Sequence, residues 1–354
     1  MIYINGRFLL QEITGVQRFS YELVKNLFLI RDDITVIVPD GDIKYDITFI
    51  KDSNLKILNL GKGHLWEQTI LPAYLKKIGS PLLINLCNTA PIFYTNQIVT
   101  HHDITYIRHP NSFSLGFRLF YKIAPKFFLK NSKAIITVSE FSKREIVSHY
   151  TVNEDKVNVI YNAVNENFDI STARDITLKD DDKYFLAVGS LAHHKNLNYL
   201  IEQFSTISQR YPVKLKIVGG SSRNLKSNTG DKNIQNIEFL GRVTEDELLA
   251  LYKNAFAFIF PSLYEGFGIP PLEAQACGCP VISSDMSVMP EVLSESVLYF
   301  NPLVTNDLAN KMIYILEQRS LINRLINEGF NNIKRFSWEE STYKLNELIN
   351  LKSK

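Results

Sequence analysis

Residues Pro261 to Val281 read PSLYEGFGIPPLEAQACGCPV, and this stretch decides the fold. The apolar, aromatic segment before it, Phe256 to Phe260, predicts a strand. Pro271 fits the first turn of a helix that Gly278 would close, because proline has no backbone N–H to donate and its ring pre-sets φ. The predicted order is therefore a strand, a glycine-containing loop and a short helix.

Two carboxylates, Glu265 and Glu273, flank the glycines of this loop. Gly266 and Gly268 let backbone N–H groups approach a ligand, since no Cβ stands in the way. The following helix turns its unpaired N–H groups and positive dipole end to the same space, which suits a phosphate or a ring of hydroxyls. We expect Glu273 in the first helical turn, where the dipole could stabilise it without any ligand.

The run EGFGIPPLEAQACGCPVI, residues 265–282, resembles the carboxylate signature of the family 4 retaining glycosyltransferases, which have the two-domain GT-B fold. The resemblance implies that Glu265 contacts the donor sugar and Glu273 the ribose of the nucleotide. It also implies that loop N–H groups after the first Glu hold sugar hydroxyls. By position, the loop residues are Gly266, Phe267, Gly268, Ile269 and Pro270.

Composition agrees with two domains of ordinary size in 354 residues, and a formal charge of +2 is too small to imply a nucleic-acid partner. Residues 1–165 carry 19 Lys and Arg against 14 Asp and Glu, whereas the remainder carries 20 against 23. The basic first half would suit an anionic acceptor or a membrane surface, or simply aid solubility. Three cysteines without a disulfide or metal pattern, and a start, MIYING, that predicts a strand and no export signal, favour the cytoplasm.

Apolar strand-like runs alternate with helical patterns along both halves, which predicts α/β architecture with parallel sheets. We expect two Rossmann-like doubly wound domains facing across a cleft. Residues 1–165 would bind the acceptor, 166–183 form a linker and 184–338 bind the nucleotide sugar, with a helix over 339–354 packing back on the first domain. In the first half the runs are Met1–Ile4, Ile34–Val38, Leu55–Asn59, Leu82–Leu86, Ile98–Thr100, Ala134–Val138 and Val157–Ile160.

The first loop, Thr14 to Arg18, predicts a glycine turn into an amphipathic helix over Phe19–Leu29. A turn at this place lies at the carboxyl edge of a parallel sheet, where ligands bind in such folds. The family resemblance implies that Gly15 faces the transferred phosphate and that Val16 lies on the acceptor side. The alternative is a plain strand-to-helix turn.

The stretch IVTHHDITYIRHP, residues 98–110, ends a buried strand in two histidines and an aspartate. Such a pair could act as a base and its orienting group, whereas a metal site lacks a third ligand at usable spacing. The resemblance implies that His102 contacts the donor sugar and that Asp103 lies in the acceptor-side loop. A histidine satisfied at a strand end is the alternative.

The strand YFLAVGS, residues 184–190, runs into LAHHKNLNYLI. Lys195, next to a helix N-terminus, would neutralise a leaving diphosphate. The family has an Arg beside this Lys, and here His194 stands in its place, so one of the two cations depends on pH. Gly189 matches the family glycine, and Ser190 could add a hydroxyl bond.

Backbone groups of Arg242 and Val243 are implied by the resemblance to contact the base. The residues that follow, Thr244 to Glu247, read as a capping box, with Glu247 at the third helical position. Likewise, Ser139 is expected to cap the helix after the strand at Ala134–Val138.

Two helical patterns contain proline. We expect breaks at Pro72 in Trp66–Lys77 and near Pro125 in Phe117–Lys133. The second segment mixes basic with aromatic side chains, a composition that suits contact with the inner leaflet of an anionic membrane. An aromatic stripe that packs in the core is the alternative.

Taken together, the resemblance implies a retaining glycosyltransferase of surface polysaccharide synthesis (O-antigen, capsule or exopolysaccharide). It would move a hexose from a nucleotide-diphosphate sugar, GDP-mannose first, to a glycan or a polyprenyl-diphosphate-linked acceptor. Glu265, His102 and Lys195 are the expected catalytic residues, and neither a metal nor a cofactor is expected. Rhamnosyl, glucosyl or N-acetylhexosaminyl transfer are alternatives. A nucleotide-sugar epimerase and a non-catalytic nucleotide-sugar-binding partner are alternative classes.

Overall fold

The protein is seen in a computed structural model that describes residues 1–59, 61–168, 183–219 and 236–353. The chain forms two compact units. The first contains Met1–Ile107, Ser114–Asn162 and Phe336–Lys354, and the second contains Arg108–Phe113 and Ala163–Arg335. The short excursion at Arg108–Phe113 departs from the expected boundary at residue 165, because this segment packs within the second unit. Most of the expected linker, 166–183, lies outside the described residues.

The first unit is built on a parallel sheet whose strands are nearly all buried, so that helices cover both faces. A strand is present at every place where the first half predicted one. The strands are β1 (Ile2–Asn5), β2 (Ile34–Pro39), β3 (Leu55–Leu58), β4 (Leu83–Asn85), β5 (Gln97–Thr100), β6 (Ala134–Thr137) and β7 (Val157–Val159). Their order in the sheet is β3-β2-β1-β4-β5-β6-β7.

The second unit is built on another parallel sheet. Its strands are β8 (Tyr184–Val188), β9 (Lys214–Val218), β10 (Ile237–Gly241), β11 (Ala257–Phe260), β12 (Val281–Ser284) and β13 (Leu298–Phe300). Their order is β10-β9-β8-β11-β12-β13. A core of buried aromatic and aliphatic side chains, including Phe185, Phe204, Ile259 and Met312, joins this sheet to its helices.

Helices form most of the described crossovers between strands. In chain order they are α1 (Gly15–Ile30), α2 (Gly63–Gln68), α3 (Ile70–Lys77), α4 (Thr105–Arg108), α5 (Leu115–Asn131), α6 (Glu140–Tyr150), α7 (Leu197–Ile207), α8 (Glu245–Asn254), α9 (Ile269–Ala276), α10 (Met289–Leu293), α11 (Asp307–Glu317), α12 (Arg319–Ile333) and α13 (Trp338–Lys352). The predicted caps are present: the Ser139 side chain accepts from the N–H of Ser142, and Thr244 and Glu247 form a capping box.

Both predicted proline breaks are wrong. The break in the first pattern lies at Thr69, between α2 and α3, and Pro72 is the third residue of α3, where a missing N–H costs little. Helix α5 runs without a break through Pro125. Burial of Pro125 with Ala124 and Phe128 offsets the hydrogen bond that the proline cannot donate.

The last helix, α13, packs on α1 within the first unit. The guanidinium of Arg31 donates to Oδ1 of Asn346 at 2.7 Å and to Oδ1 of Asn350 at 2.6 Å. At the other end of this contact, the rings of Phe19 and Trp338 meet edge to face, 6.2 Å apart. The chain therefore returns to the first unit after building the second.

A buried polar network joins α2 to the carboxyl end of strand β1 in the first sheet. The carboxylate of Glu67 accepts hydrogen bonds from Asn5 at 2.9 Å, Thr89 at 3.1 Å and Arg7 at 3.3 Å. His64 Nδ1 lies 3.5 Å from the second carboxylate oxygen, the outer limit of a hydrogen bond. Burial raises the pKa of Glu67, but these partners more than offset it, so the pKa stays below its ordinary value and the buried group is charged.

Two histidines follow β5 and lie in the core of the first unit. His101 has no exposed surface and His102 only 5%. Burial disfavours the charged imidazolium, so the pKa of His101 is lowered to about 3, with a further contribution from His102. Burial likewise lowers the pKa of His102 to about 4, against a hydrogen bond to Leu86 that raises it. Both rings are neutral at physiological pH.

These histidines predict acid sensitivity. In the unfolded chain these histidines bind protons as the pH falls through their ordinary pKa of about 6.5. In the folded chain His102 stays neutral until the pH approaches about 4. The free energy of unfolding is therefore highest above pH 6.5 and falls between pH 6.5 and 4. At pH 5 the loss is roughly 2 kcal/mol per histidine. His102→Gln keeps a donor for Leu86 without titrating, and we expect it to remove one histidine's share of the loss.

Urea unfolding at pH 7 and pH 5 measures this effect. His149→Gln is the control, because it replaces an exposed histidine instead of a buried one, and His149 is only the smallest of the causes that lower the pKa of His101. An equal loss of stability in wild type and His102→Gln would show that His102 is not held neutral by burial.

Candidate functional site

The largest group of expected site residues lies in the second unit, where β8 and β11 end side by side. After β8 the chain enters Gly189, and after β11 it enters the loop 261–268. The strand order reverses at this point, with β9 on one side of β8 and β11 on the other. Parallel α/β sheets bind ligands outside the carboxyl ends of their strands at such a switch point.

An ion pair connects the two loops. Nζ of Lys195 donates to Oε1 of Glu265 at 2.6 Å, and the side chains are 23% and 14% exposed. The lysine stem passes close to Gly189, where a Cβ would lie 3.8 Å from its carbons. The lysine ammonium also lies 5.8 Å from the centre of the Phe260 ring. A permanent cation and a carboxylate thus meet, half buried, at the switch point.

Backbone hydrogen bonds fix the loop that carries Glu265. The N–H of Leu263 donates to the carbonyl of His194 at 2.7 Å, which ties this loop to the one before α7. The N–H of Glu265 donates to Oγ of Ser287 at 3.1 Å. Ser287 itself has a left-handed backbone, with φ of 54°. The carboxylate is therefore held from both neighbouring loops.

Gly268 allows the loop to turn into α9. Its φ is 87°, a left-handed conformation that favours glycine. A Cβ here would lie 2.6 Å from the terminal carbon of Met289, so the conformation favours glycine and a larger residue would also displace the end of the Met289 side chain. The helix then begins at Ile269 with Pro270 in its first turn, and Gly278, with φ of 67°, follows its end as predicted.

Glu273 is not in the first helical turn, contrary to the prediction. The helix starts at Ile269, so Glu273 is its fifth residue. Oε2 of Glu273 accepts a hydrogen bond from the hydroxyl of Tyr252 at 3.1 Å. Burial and, after it, the charge of Glu273 raise the pKa of Tyr252 well above its ordinary value, so the phenol remains a donor. A buried tyrosine on α8, not the helix dipole, orients this carboxylate.

Three glycines let the ends of β8, β9 and β10 approach one another. The N–H of Gly189 donates to Val218 at 3.0 Å, and that of Gly219 donates to Gly241 at 2.6 Å. A Cβ on Gly219, whose φ is 86°, would lie 2.9 Å from the carbonyl oxygen of Gly189. Because all three residues are glycines, the strand ends carry no side chains at this point of the site.

The expected base-contacting residues follow Gly241 in this same row of strand ends. Arg242 is exposed and Val243 half buried, immediately before the capping box of α8. Ser190 is exposed next to Gly189, and its Oγ lies 3.5 Å from the N–H of Ala192. The second unit therefore brings the expected nucleotide-sugar residues together around the ends of β8, β10 and β11.

His194 has a partner that the sequence did not reveal. Its Nδ1 lies 2.9 Å from Oγ of Ser112, which also accepts from the His194 backbone N–H at 3.3 Å. The ring of Phe113 is parallel to the imidazole at 6.2 Å, and His109 lies 6.3 Å away. The excursion Arg108–Phe113 thus fixes the imidazole that stands in the place of the family arginine.

The expected residues of the first unit lie at the carboxyl edge of its own sheet. Gly15 and Val16 are the first two residues of α1, which begins four residues earlier than predicted, so their N–H groups belong to the unpaired first turn. Nε2 of His102 lies 3.1 Å from the carbonyl of Leu86. A carbonyl only accepts, so Nε2 carries the proton and Nδ1 is the acceptor nitrogen.

Asp103 has a local structural role. Its Oδ1 accepts from the N–H of Thr105 at 2.8 Å, at the start of α4. His102 is similarly fixed, because its N–H donates to Oδ1 of Asn88 at 2.8 Å. Both residues are therefore held by hydrogen bonds of the first unit.

Two models of known protein families match the chain. Residues 13–168 match the model described as Glycosyltransferase Family 4, and residues 169–332 match the one described as Glycosyl transferases group 1. The chain belongs to the family 4 glycosyltransferases. The predicted family is confirmed on both halves of the chain.

Relatives of this glycosyltransferase include several mannosyltransferases. It is 36% identical over 230 residues to the O-antigen chain mannosyltransferase RfbU of Salmonella typhimurium, covering 64% of this chain and 62% of the relative. It is 31% identical to the serotype-specific mannosyltransferase WbdA of Escherichia coli, of which it spans 30%. A match of 26% identity to O-antigen chain mannosyltransferase B of Escherichia coli covers 93% of this chain and 94% of the relative.

Solved structures confirm the predicted GT-B fold. WaaG, a glycosyltransferase involved in lipopolysaccharide biosynthesis, superposes with a TM-score of 0.73 at 15% identity and covers 99% of both chains. A sucrose-phosphate synthase from Thermosynechococcus elongatus superposes with a TM-score of 0.74 at 19% identity, over 99% of this chain and 98% of the other. At these identities the likeness establishes the fold.

Two features of the described residues concern a metal ion and a membrane as partners of the glycosyltransferase. Within them, no group of three or more His, Cys, Asp or Glu side chains is placed to hold a metal ion. None of the helices in the part of the chain that the structure describes combines the length and apolar character needed to span a bilayer.

Four residues around the site of this glycosyltransferase were not predicted from the sequence: Ser112, Gly219, Tyr252 and Ser287. Only Gly219 has a local sequence signal, because a glycine at the end of an apolar, strand-like run indicates a close approach or a left-handed turn. The others act on residues 82, 21 and 22 positions away through side-chain hydrogen bonds. Such partners are set by the packing of loops and carry no local pattern.

Gly268→Ala tests the turn of the glycosyltransferase loop. We expect a loss of about 1–2 kcal/mol in the free energy of unfolding, because a left-handed backbone is costly for alanine and Met289 must move. Chemical denaturation measures the loss. Gly116→Ala is the matched control, since Gly116 lies in α5 with ordinary φ and open space around its missing Cβ, and it should leave stability unchanged or slightly higher. Equal stability of Gly268→Ala and wild type would contradict the assignment.

Proposed function

We propose that the chain is a retaining hexosyltransferase that uses a nucleotide-diphosphate sugar. The observation that carries the proposal is the half-buried pair of Lys195 and Glu265 at the switch point of the second sheet. A cation there suits a diphosphate, and the neighbouring carboxylate suits sugar hydroxyls, so the two ends of one donor have complementary partners. Membership of family 4 supports the same roles.

The two carboxylates take different roles in this proposal. Glu265 accepts hydrogen bonds from the donor sugar, while backbone N–H groups between Gly266 and Ile269 donate to the sugar hydroxyls. Glu273, oriented by the phenol of Tyr252, accepts from the hydroxyls of the ribose. The base then lies against the backbone of Arg242 and Val243, beyond the end of β10.

Lys195 stabilises the charge that develops on the leaving diphosphate. Its ammonium pairs with Glu265, so donor binding would exchange this partner for phosphate oxygens. The unpaired N–H groups at Gly15 and Val16 supply a second electropositive element from the first unit. Such preorganised charge is the usual main source of rate enhancement.

The proposed reaction needs no cofactor. The bond between C1 of the hexose and the diphosphate oxygen breaks, and the acceptor hydroxyl forms a new C1–O bond on the same face of the sugar. The hydroxyl proton passes to the leaving phosphate, so the products are a glycoside and a nucleoside diphosphate. Neutral His102 accepts a hydrogen bond from the donor sugar at Nδ1, because Nε2 donates to Leu86, and it is not a cation in this step.

GDP-mannose is the first choice of donor, because RfbU, WbdA and O-antigen chain mannosyltransferase B are mannosyltransferases by name. The acceptor would then be a glycan or a polyprenyl-diphosphate-linked oligosaccharide of surface polysaccharide synthesis. Asp103, in the loop after β5, belongs to the acceptor side of this proposal.

Binding of nucleotides tests the site directly. Thermal shift and titration calorimetry with GDP, UDP, ADP and their hexose derivatives should single out one base without added metal, with GDP-mannose expected. We expect Lys195→Met to weaken binding of the selected nucleoside diphosphate roughly 10- to 100-fold, because it removes a charge-assisted hydrogen bond. Glu273→Gln should weaken binding of the nucleotide, and Glu265→Gln binding of the sugar nucleotide but not of the free diphosphate.

Matched controls come from a second ion pair of the same unit. Lys214 lies 3.3 Å from Glu238, and these side chains are 47% and 41% exposed. Lys214→Met and Glu238→Gln make the same chemical changes away from the switch point and should bind like wild type. Unchanged binding by Lys195→Met would overturn the site, and turnover of donor without acceptor would indicate an epimerase instead. Anomeric NMR signals of the product then decide whether configuration is retained.

Ser112 provides a second test, because it fixes His194 beside the diphosphate site. We expect Ser112→Ala to weaken nucleoside diphosphate binding about three- to tenfold, the worth of one neutral hydrogen bond. Ser112→Thr keeps the hydroxyl and should restore affinity. Calorimetry of the two variants measures the difference, and equal affinity of Ser112→Ala and wild type would show that the imidazole needs no positioning.

A further inference from the structure

Helix α5 exposes a row of apolar side chains on the first unit. Leu115, Leu119, Ile123 and Phe127 follow one another at intervals of four residues, and they are 77%, 63%, 50% and 49% exposed. Residues four apart lie on one face of a helix, so the row extends about 18 Å along the axis. An amphipathic helix on a globular domain normally buries such a row.

A second row of side chains on the same helix is basic. Arg118, Lys122, Lys126 and Lys130 also recur every four residues, and the first three each come one position before a member of the apolar row. The three lysines are exposed. From Ile104 to Ser139 the sequence contains no Asp or Glu. Acidic neighbours along the chain therefore do not offset this charge.

The remaining face of α5 attaches the helix to its unit. Tyr121, Ala124, Phe128 and Leu129 are buried, with the last two at 1% and 0% exposure. The ring of Tyr121 packs on that of Tyr106, 5.2 Å away. One face is thus fully used for folding, and the apolar row is in excess of what folding requires.

A groove runs beside the apolar row. Its volume is about 430 Å³, and the loop side chains Ile92 and Phe93 form its other wall. Phe93 is itself 78% exposed. Gly116 and Ala124 leave the groove open, because neither has a side chain large enough to fill it. Together the row and the groove make a continuous apolar patch, which on a water-facing surface marks an interaction site.

We propose that this face of α5, with Phe93, docks on the surface of an anionic lipid bilayer. An apolar row next to a basic row is the arrangement of helices that lie in the plane of a membrane, with apolar side chains among the acyl chains and cations at the headgroups. The groove would take up part of an acyl chain. Charge argues against a second copy of the chain, because two such basic faces would repel each other.

Vesicle sedimentation with the full chain tests the docking without any nucleotide sugar, so its outcome does not depend on the proposed reaction. We expect binding to phosphatidylcholine vesicles that contain about 30% phosphatidylglycerol, none to phosphatidylcholine alone, and weakening at high salt. Lys122→Gln with Lys126→Gln should lower partitioning roughly 25-fold, about fivefold for each charge. Leu119→Ser with Ile123→Ser should lower it at least about tenfold.

Control variants make the same changes elsewhere on the first unit. Leu29 and Leu351 are 76% and 64% exposed, so Leu29→Ser with Leu351→Ser matches the apolar change. Lys76→Gln with Lys77→Gln matches the charge change on exposed positions of α3. Both controls should bind like wild type. Equal losses in the controls, binding that ignores lipid charge, or no binding by wild type would overturn the proposal.

A tryptophan reporter separates insertion from adsorption. Both native tryptophans, Trp66 and Trp338, are buried. The emission of Leu119→Trp should therefore shift to the blue with anionic vesicles, whereas that of Leu351→Trp should not. An unshifted Leu119→Trp would overturn the proposal. So would a dimer in solution that Leu119→Ser with Ile123→Ser dissociates while vesicle binding stays unchanged.

Discussion

Parallel strand pairing is the constraint on which both units depend. Each connection between parallel strands must return to the edge where the strands begin, so every strand of a sheet ends at the same edge. Side chains that follow different strands are thereby brought together without any contact between them in sequence. Lys195 follows β8 and Glu265 follows β11, and the two meet because these strands are neighbours.

The ion pair at this edge contributes little to the stability of the fold. A partly buried pair loses much of its Coulomb energy to desolvation, so its net contribution to folding is small. Its value in the proposed function is that each partner is preorganised by the other until a diphosphate and a sugar replace them. The surrounding loops are held separately, by Ser287 and by the bond from Leu263 to His194, so the exchange need not disturb the backbone.

The expected site residues are divided between the two units. Buried, neutral His102 and the first turn of α1 lie in the first unit, whereas the permanent cation and the two carboxylates lie in the second. The segment Arg108–Phe113 departs from this division, since it is surrounded in sequence by the first unit but packs in the second. Because the hydroxyl of Ser112 contacts His194, the position of this imidazole depends on a segment 82 residues away in sequence. Helix α5 begins two residues after this segment, so the proposed membrane face and the imidazole partner are neighbours in sequence.

The sequence by itself determined the periodic and local features of this protein. Apolar runs located the strands, Ser139 and Thr244 predicted their helix caps, and Gly278 predicted the end of α9, because each of these depends on residues within one or two turns. Tertiary structure alone decided that α5 continues through Pro125, that the helix pair breaks at Thr69, and that Glu273 is oriented by Tyr252. It also decided the exposure of the row on α5, since the same amphipathic pattern would serve for burial. Those outcomes depend on which surfaces meet when the crossovers close, and a local pattern does not record that.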